Sequence, residues 1–420
     1  MQTRLFSLAW RQQFGRVNSM DNLNDVRYLA DGVTVSNNNR ETGLNNNDLI
    51  IGTSGSGKTG GYVVPNIQNI SGSMVVSDTK GQLCKLFKSK LEEKGYNVYT
   101  LDFVNPLNSC GYNPLDGIRR YENGSYCEQD VLTVANTLMP ILDRNDPFWE
   151  KSAASYIAFL IAFCLERLPP HEQNMVSICK LHQALYNPDA ELTFLEWSES
   201  NSNSFAARKF NQLRSISKAD RTWSCILEFA NRALEPFEFK KMANIFERKE
   251  YFDIQTLGKK KTVLFLNTSD TDRAFDSIIN VFHTQALQLL CKLADENEGG
   301  KLDVPVRLIL DDFASSTTIP NFDKIISVIR SRDISVSVIL QSLTQLETLY
   351  VPAAATTIIN NCDHLLYLGS QDINTASYVG YRLGKLPETV LALARDKAVL
   401  ITGGEKAKIV RKIMPYSTVG

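Results

Sequence analysis

LIIGTSGSGKT, residues Leu49 to Thr59, decides the reading of this chain: the apolar run Leu49, Ile50, Ile51 feeds straight into a G-x-x-x-x-G-K-T loop, Gly52 to Thr59. A strand that ends in such a loop and continues into a helix is a phosphate cradle. Gly55 and Gly57 let backbone N–H groups curl around phosphate oxygens, Lys58 adds a point charge, and the Thr59 hydroxyl is a candidate Mg²⁺ ligand. The whole loop, Gly52, Thr53, Ser54, Gly55, Ser56, Gly57, Lys58 and Thr59, is therefore assigned to nucleotide binding. Thr59 to Asn69 is helix-compatible, although Pro65 must sit near the first turns of that helix or kink it.

A second constellation lies far downstream. Val306 to Phe313 reads VRLILDDF, a buried-strand run ending in two carboxylates. A nucleoside triphosphatase places its Mg²⁺-associated Asp and its water-orienting group at such a strand end, so Asp311 is assigned to the metal and Asp312 to the water. Ser335 to Leu340 (SVSVIL) is another apolar strand, stopping at Gln341 and Ser342; Gln341 is the candidate sensor of the γ-phosphate. Between the two, Asn321 to Asp333 (NFDKIISVIRSRD) has apolar residues at helical spacing and ends in Arg330 and Arg332. Spacing leaves two readings open for these cations: an arginine finger on a neighbouring subunit, or charges answering a helix C-terminus.

Short β-branched runs alternate with longer periodic stretches, the pattern of a mainly parallel sheet flanked by helices. Strands are expected at Leu49–Ile51, Met74–Ser77, Val98–Asp102, Val263–Asn267, Val306–Leu310, Ser335–Leu340, Leu365–Leu368 and Ala398–Thr402. The gap between the third and the fourth is too long for one crossover and shows only helical stretches, among them Asp130–Leu142, Phe148–Leu168 and Ala219–Arg232. The expected organisation is an N-terminal segment 1–48, a motor domain 49–121 plus 247–420, and an inserted all-α domain 122–246. Ser198–Ser204 (SESNSNS) reads as an exposed loop, the Asn-rich stretches Asn37–Asn39 and Asn45–Asn47 as loops before the first motor strand, and Gly258–Lys261 (GKKK) as a hairpin or strand entry.

With 420 residues, 43 % hydrophobic and 22 % charged, the chain can bury a large core in two or three domains. Its formal net charge of −1 rules out a global basic field for nucleic acid; contact with DNA must come from local loops or from a pore made by assembly. The longest greasy stretch, Tyr156–Leu165, is too short to span about 30 Å of bilayer and reads as a buried helix. Eight cysteines without a C-x-x-C pair and four histidines without ligand spacing read as structural, and no cleavable signal is evident, which points to a reduced cytoplasm.

The run from Ile309 to Tyr350, ILDDFASSTTIPNFDKIISVIRSRDISVSVILQSLTQLETLY, resembles the Walker B to motif III region of type IV secretion coupling proteins, the TraG/TraD-like conjugative DNA-transfer ATPases. VVSDTKGQL (Val75–Leu83), NPLNSCGYNPL (Asn105–Leu115) and DPFWEKSA (Asp146–Ala153) resemble further parts of that family in the same order. The resemblance implies a RecA-like P-loop motor that takes ATP and Mg²⁺ and works as a homo-hexamer. It also implies coupling of a relaxase and its relaxosome accessory proteins, with single-stranded DNA, to the membrane components of a secretion channel, at the cytoplasmic face of the membrane. It puts an arginine finger at the place of Arg330 and suggests that the helical insertion engages relaxase, accessory factors or DNA.

Two departures stand out. The family usually has Glu where this chain has Asp312, and its members usually begin with transmembrane helices, of which none is expected here. Leu5, Phe6, Leu8, Ala9, Trp10 and Phe14, with Arg4, Arg11 and Arg16, fit a basic amphipathic helix lying on a membrane or a membrane-embedded partner, or else one docked on the motor. Two other functions remain open: a RecA-like DNA translocase without a secretion role, and a nucleotide-gated docking protein with weak hydrolysis.

Overall fold

The computed structural model describes residues 25–143, 145–216, 220–248, 251–269, 271–311, 313 and 318–414; the candidate amphipathic segment and Asp312 lie outside them. Its strands are β1 Val26–Ala30, β2 Val33–Ser36, β3 Asp48–Ile51, β4 Ser73–Asp78, β5 Asn97–Asp102, β6 Thr262–Asn267, β7 Val306–Leu310, β8 Ile334–Leu340, β9 His364–Tyr367, β10 Lys397–Thr402 and β11 Lys408–Arg411. β1 and β2 form a separate hairpin, and the other nine make one sheet in the order β11-β10-β9-β3-β8-β7-β4-β6-β5. From β9 to β5 all neighbours are parallel; β10 and β11 run antiparallel at one edge.

Both faces of the parallel region are covered, which is why its strands read as near-continuous apolar runs rather than alternating ones. In β3, Leu49 and Ile51 join the core on one face while Ile50 joins the other. The second face is closed by Tyr62, Val63, Val64 and Ile67 of the segment after the loop and by Phe87 and Leu91 of the helix Gln82–Glu93.

Between β5 and β6 the described residues form helices, chiefly Glu128–Leu138, Phe148–Arg167, Met175–Ala184, Pro188–Ser200, Phe205–Ile216 and Asp220–Glu238, and one isolated bridge, Arg120 to Tyr126. Their core is continuous with the Leu49 face of the sheet. Phe148–Arg167 corrects one expectation: at 20 residues it is about 30 Å long, long and apolar enough to cross a membrane by length and composition. It is a core helix, with Tyr156, Ile157, Phe159, Leu160 and Ile161 fully buried. Ser198–Ser204 differs as well. The helix runs to Ser200, and Ser198 is buried, its hydroxyl within hydrogen-bond distance of Leu195 O and Asn211 Oδ1, each at 2.8 Å. GKKK enters β6 from a short helix, Thr256–Lys259, and is no hairpin.

The sequence reading missed β1, β2 and β11. The hairpin is locked to the nine-stranded sheet by charge. Arg27 Nε donates to both Asp48 oxygens at 3.0 Å, Arg307 reaches the same carboxylate at 3.2 Å, and the Tyr62 hydroxyl donates to it at 2.5 Å. Arg27 also meets His364 Nδ1 at 2.9 Å, and Ser337 Oγ accepts from Arg307 at 3.1 Å. Burial pushes the Asp48 carboxyl up, but the two guanidiniums outweigh it and hold it below the usual carboxylate range. Removing one partner of a buried pair leaves uncompensated charge, at a cost of about 3–5 kcal/mol. Asp48→Ala is therefore expected to lower the urea midpoint clearly, the loss amounting to about a third of the ~5–15 kcal/mol usual for a folded domain; an unchanged midpoint would show the cluster to be energetically idle.

Candidate nucleotide site

All seven parallel strands point their C-terminal ends to one edge, and the loop emerges there from β3. Backbone bonds fix its ends: Gly52 N–H donates to Leu340 O and Thr53 N–H to Gly369 O, both at 3.0 Å, so the loop is tied to the ends of β8 and β9. Gly52 lies under the arch, where a Cβ would stand 2.2 Å from Ser56 Oγ. Gly55 and Gly57 have φ of +76° and +97°, the left-handed region that favours glycine, and the space above each is open. Lys58 Nζ folds back to donate to Gly52 O at 2.8 Å and Thr53 O at 3.2 Å. Ser56 Oγ is buried with no hydrogen-bond partner among the described residues. An open arch of backbone N–H groups, a lysine that among the described residues bonds carbonyls alone, and an orphaned hydroxyl suit the oxygens of a polyphosphate.

Thr59 is exposed at the mouth of the loop. The helix after it begins as a π turn, Thr59–Val63, in which Val64 N–H bonds Thr59 O, before α geometry sets in at Val64–Gln68. Pro65 thus sits in the first turn of the α segment, and the wider turn ahead of it absorbs its missing N–H.

Asp311 follows β7 and is half-buried. β8 separates β7 from β3, so at about 4.8 Å per strand the Asp311 end lies about 10 Å across the edge from the loop. Gln341, exposed at the end of β8, stands between them. Its backbone N–H is held by Gln345 Oε1 at 3.1 Å, and Phe313 N–H donates to Ile339 O at 3.1 Å, pinning the segment after Asp311 to β8. Loop, Gln341 and Asp311 therefore share one edge on three adjacent strands.

Arg330 does not join them. It precedes β8, at the opposite edge, where its guanidinium donates to Gly43 O at 2.7 Å. The seven residues of β8 put about 20 Å between it and the loop of its own subunit. It borders a cavity of about 590 Å³ lined also by Arg27, Arg40 and Asp333, remote from the phosphate loop. Arg332 is engaged elsewhere, in a two-pronged pair with Asp295 at 2.8 and 3.1 Å. In the DTKG stretch, Asp78 is a helix cap: its carboxylate accepts from Gln82 N and Cys84 N at 3.1 and 3.0 Å.

Two features of the site went unread in the sequence. Gly61 is required because a Cβ there would stand 2.7 Å from Ile413 O, and Lys412, just past β11, bonds the loop itself. The paired glycines Gly60 and Gly61 were a signal of close approach. Nothing local marked Lys412.

A sequence model of the family described as type IV secretory system conjugative DNA transfer matches residues 17–386. The VirD4 protein of Rhizobium radiobacter is 22 % identical over 345 residues, covering 80 % of this chain and 48 % of that protein. VirD4 of Agrobacterium fabrum is 21 % identical over 342 residues, covering 80 % and 49 %; the chain thus spans about half the length of the curated relatives it matches. Among solved structures, the plasmid coupling protein TrwB in complex with the ATP analogue ADPNP aligns with a TM-score of 0.67 at 14 % identity, covering 97 % of this chain and 92 % of TrwB. TrwB in complex with ADP and Mg²⁺ aligns with a TM-score of 0.64 at 14 % identity, covering 89 % and 87 %. At that identity the likeness establishes the fold alone, a RecA-like P-loop fold with a mainly parallel sheet. With the family's pattern running over most of its length, the chain belongs to the type IV secretory system conjugative DNA transfer family.

Proposed function

We propose that this chain is the ATP-driven coupling protein of a conjugative type IV secretion system, recruiting a relaxase–DNA complex and driving single-stranded DNA transfer. The observation that carries the reading is the gathering of the loop Gly52–Thr59, Gln341 and Asp311 on three adjacent strand ends. The loop N–H groups and Lys58 hold the phosphates, and Thr59 and Asp311 hold Mg²⁺, which when bound supplies positive charge against them. Gln341 presents its side-chain amide to the γ-phosphate. Asp312 orients the attacking water, one methylene shorter than the glutamate usual in the family. The position of Arg330, far from its own loop, fits a finger that works on a neighbour, and hence a homo-hexamer; the commitment of Arg332 to Asp295 favours Arg330 over it. We assign the helical region 122–246 to a domain that receives relaxase, accessory proteins or DNA. The motor 49–121 and 247–420 then works at the cytoplasmic face of the membrane beside the channel's membrane components.

Steady-state ATP turnover with and without single-stranded DNA tests this. The wild type is expected to hydrolyse ATP faster with DNA; Asp312→Asn should bind ATP and lose turnover, and Asp312→Glu should stay active. Wild-type turnover in the Asn variant would remove Asp312 from the chemistry. Binding without any turnover by the wild type would favour the docking protein, a reading the shorter Asp312 side chain keeps in play. DNA-stimulated turnover without capture of a relaxase–DNA complex would favour the plain translocase.

A further inference from the structure

Lys412 lies beyond every nucleotide-handling motif, yet it touches the phosphate loop from behind. Its side chain is buried, with 7 % exposure. Nζ donates to Leu368 O at 2.5 Å and to Ser56 O at 3.2 Å. Its backbone N–H is anchored on Asp396 O at 2.8 Å, and the next residue, Ile413, lays its carbonyl against Gly61. One ammonium thus joins the end of β9, the fifth residue of the loop and the C-terminal end of the β10–β11 hairpin.

These two carbonyls matter for geometry. A trans peptide is planar, with C=O and N–H pointing in opposite directions. Drawing Ser56 O back toward Lys412 therefore turns the N–H of Gly57 the other way, toward the open side of the arch, where phosphate oxygens are expected. Leu368 O is one residue from Gly369 O, the acceptor that fixes Thr53, so the same ammonium steadies the loop's entry. Hydrogen bonds in series polarise one another, and a cation on Ser56 O makes Gly57 N–H a stronger donor.

The charge matters as well. Among the described residues no carboxylate lies within 4 Å of Lys412 Nζ, and burial lowers its pKa from the ordinary lysine value, with Asp396 pulling the other way from farther off. A buried cation paired only with carbonyl dipoles gains when an anion arrives nearby.

We infer that Lys412 is a positioning residue for the phosphates: it sets the Ser56–Gly57 peptide and places a second positive charge, besides Lys58, behind the loop. The inference rests on the reading of the loop as a nucleotide site, and the test separates the two. Binding of a fluorescent ADP analogue is measured for the wild type, Lys412→Met, Lys412→Gln and Lys412→Arg, with melting followed in nucleotide-free buffer. Lys412→Met is expected to weaken ADP binding about 10- to 100-fold, the usual worth of a charge-assisted hydrogen bond. Lys412→Gln, which keeps a donor without the charge, should fall between, and Lys412→Arg should recover part of the loss. In turnover, the larger share of the Lys412→Met defect should appear in KM rather than kcat. Failure of the wild type to bind ADP would sink the loop's assignment itself. Wild-type affinity in folded Lys412→Met, or an equal loss in all three variants with melting lowered in parallel, would overturn the role of Lys412; should Lys412→Met not fold, the order Arg tighter than Gln decides alone.

Discussion

Arg330→Ala should bind ATP nearly as the wild type does and turn it over about 10³ to 10⁵ times more slowly, the range an arginine finger contributes. The case is geometric. Arg330 stands before β8 and the phosphate loop stands after β3, so the sheet itself keeps them about 20 Å apart within one subunit. Among the described residues its guanidinium bonds Gly43 O, in an exposed loop, rather than a carboxylate, and such a bond is readily exchanged. Arg330→Ala and Lys58→Ala proteins are each expected to be inactive alone. In a mixed ring some interfaces pair an intact loop with an intact arginine, so ATPase activity should partly return when subunits exchange. Rings shown to be mixed that stay inactive would exclude a finger acting between subunits.

Lys58→Ala is expected to abolish binding of a labelled ATP analogue at concentrations that saturate the wild type. Two effects add. The loop loses the point charge that meets the β- and γ-phosphates, and Gly52 O and Thr53 O lose the ammonium that draws them together over the arch. The fold should stand, because the loop's anchors to Leu340 O and Gly369 O do not pass through Lys58. Equilibrium binding together with circular dichroism checks both statements, and unchanged affinity in a folded variant would remove the loop from the mechanism.

The parts of the site that could be read in advance are those whose chemistry is local. β3, β7 and β8 are buried on both faces, so each is a near-continuous apolar run, interrupted by Asp48, Arg307, Ser335 and Ser337, and each leads directly into a candidate residue of the site: Gly52, Asp311 and Gln341. The Asp48 cluster offered no such clue. Its members stand between 14 and 337 residues apart, and hydrophobic periodicity carries no information on which buried charges meet. β11 was hidden for another reason: Lys408–Arg411 is a short edge strand with charged ends and little burial, too polar to separate from a loop. The placement of Arg330 at the far edge follows from topology, since the helix after β7 must return to the start of β8 in a parallel sheet.

The pairing of β3 has a consequence for how the protein comes into being. Both neighbours of this strand, β8 and β9, arise late in the chain, and the contact between Arg27 and His364 spans 337 residues. At 5–20 residues per second, a ribosome needs roughly 20–70 s to supply the far partner. During that interval the nascent phosphate loop has no flanking strands to shape it, and β3 offers both of its edges to other chains. This interior strand of the sheet is thus among the first made and among the last paired, and its safe arrival depends on what shields those edges during translation.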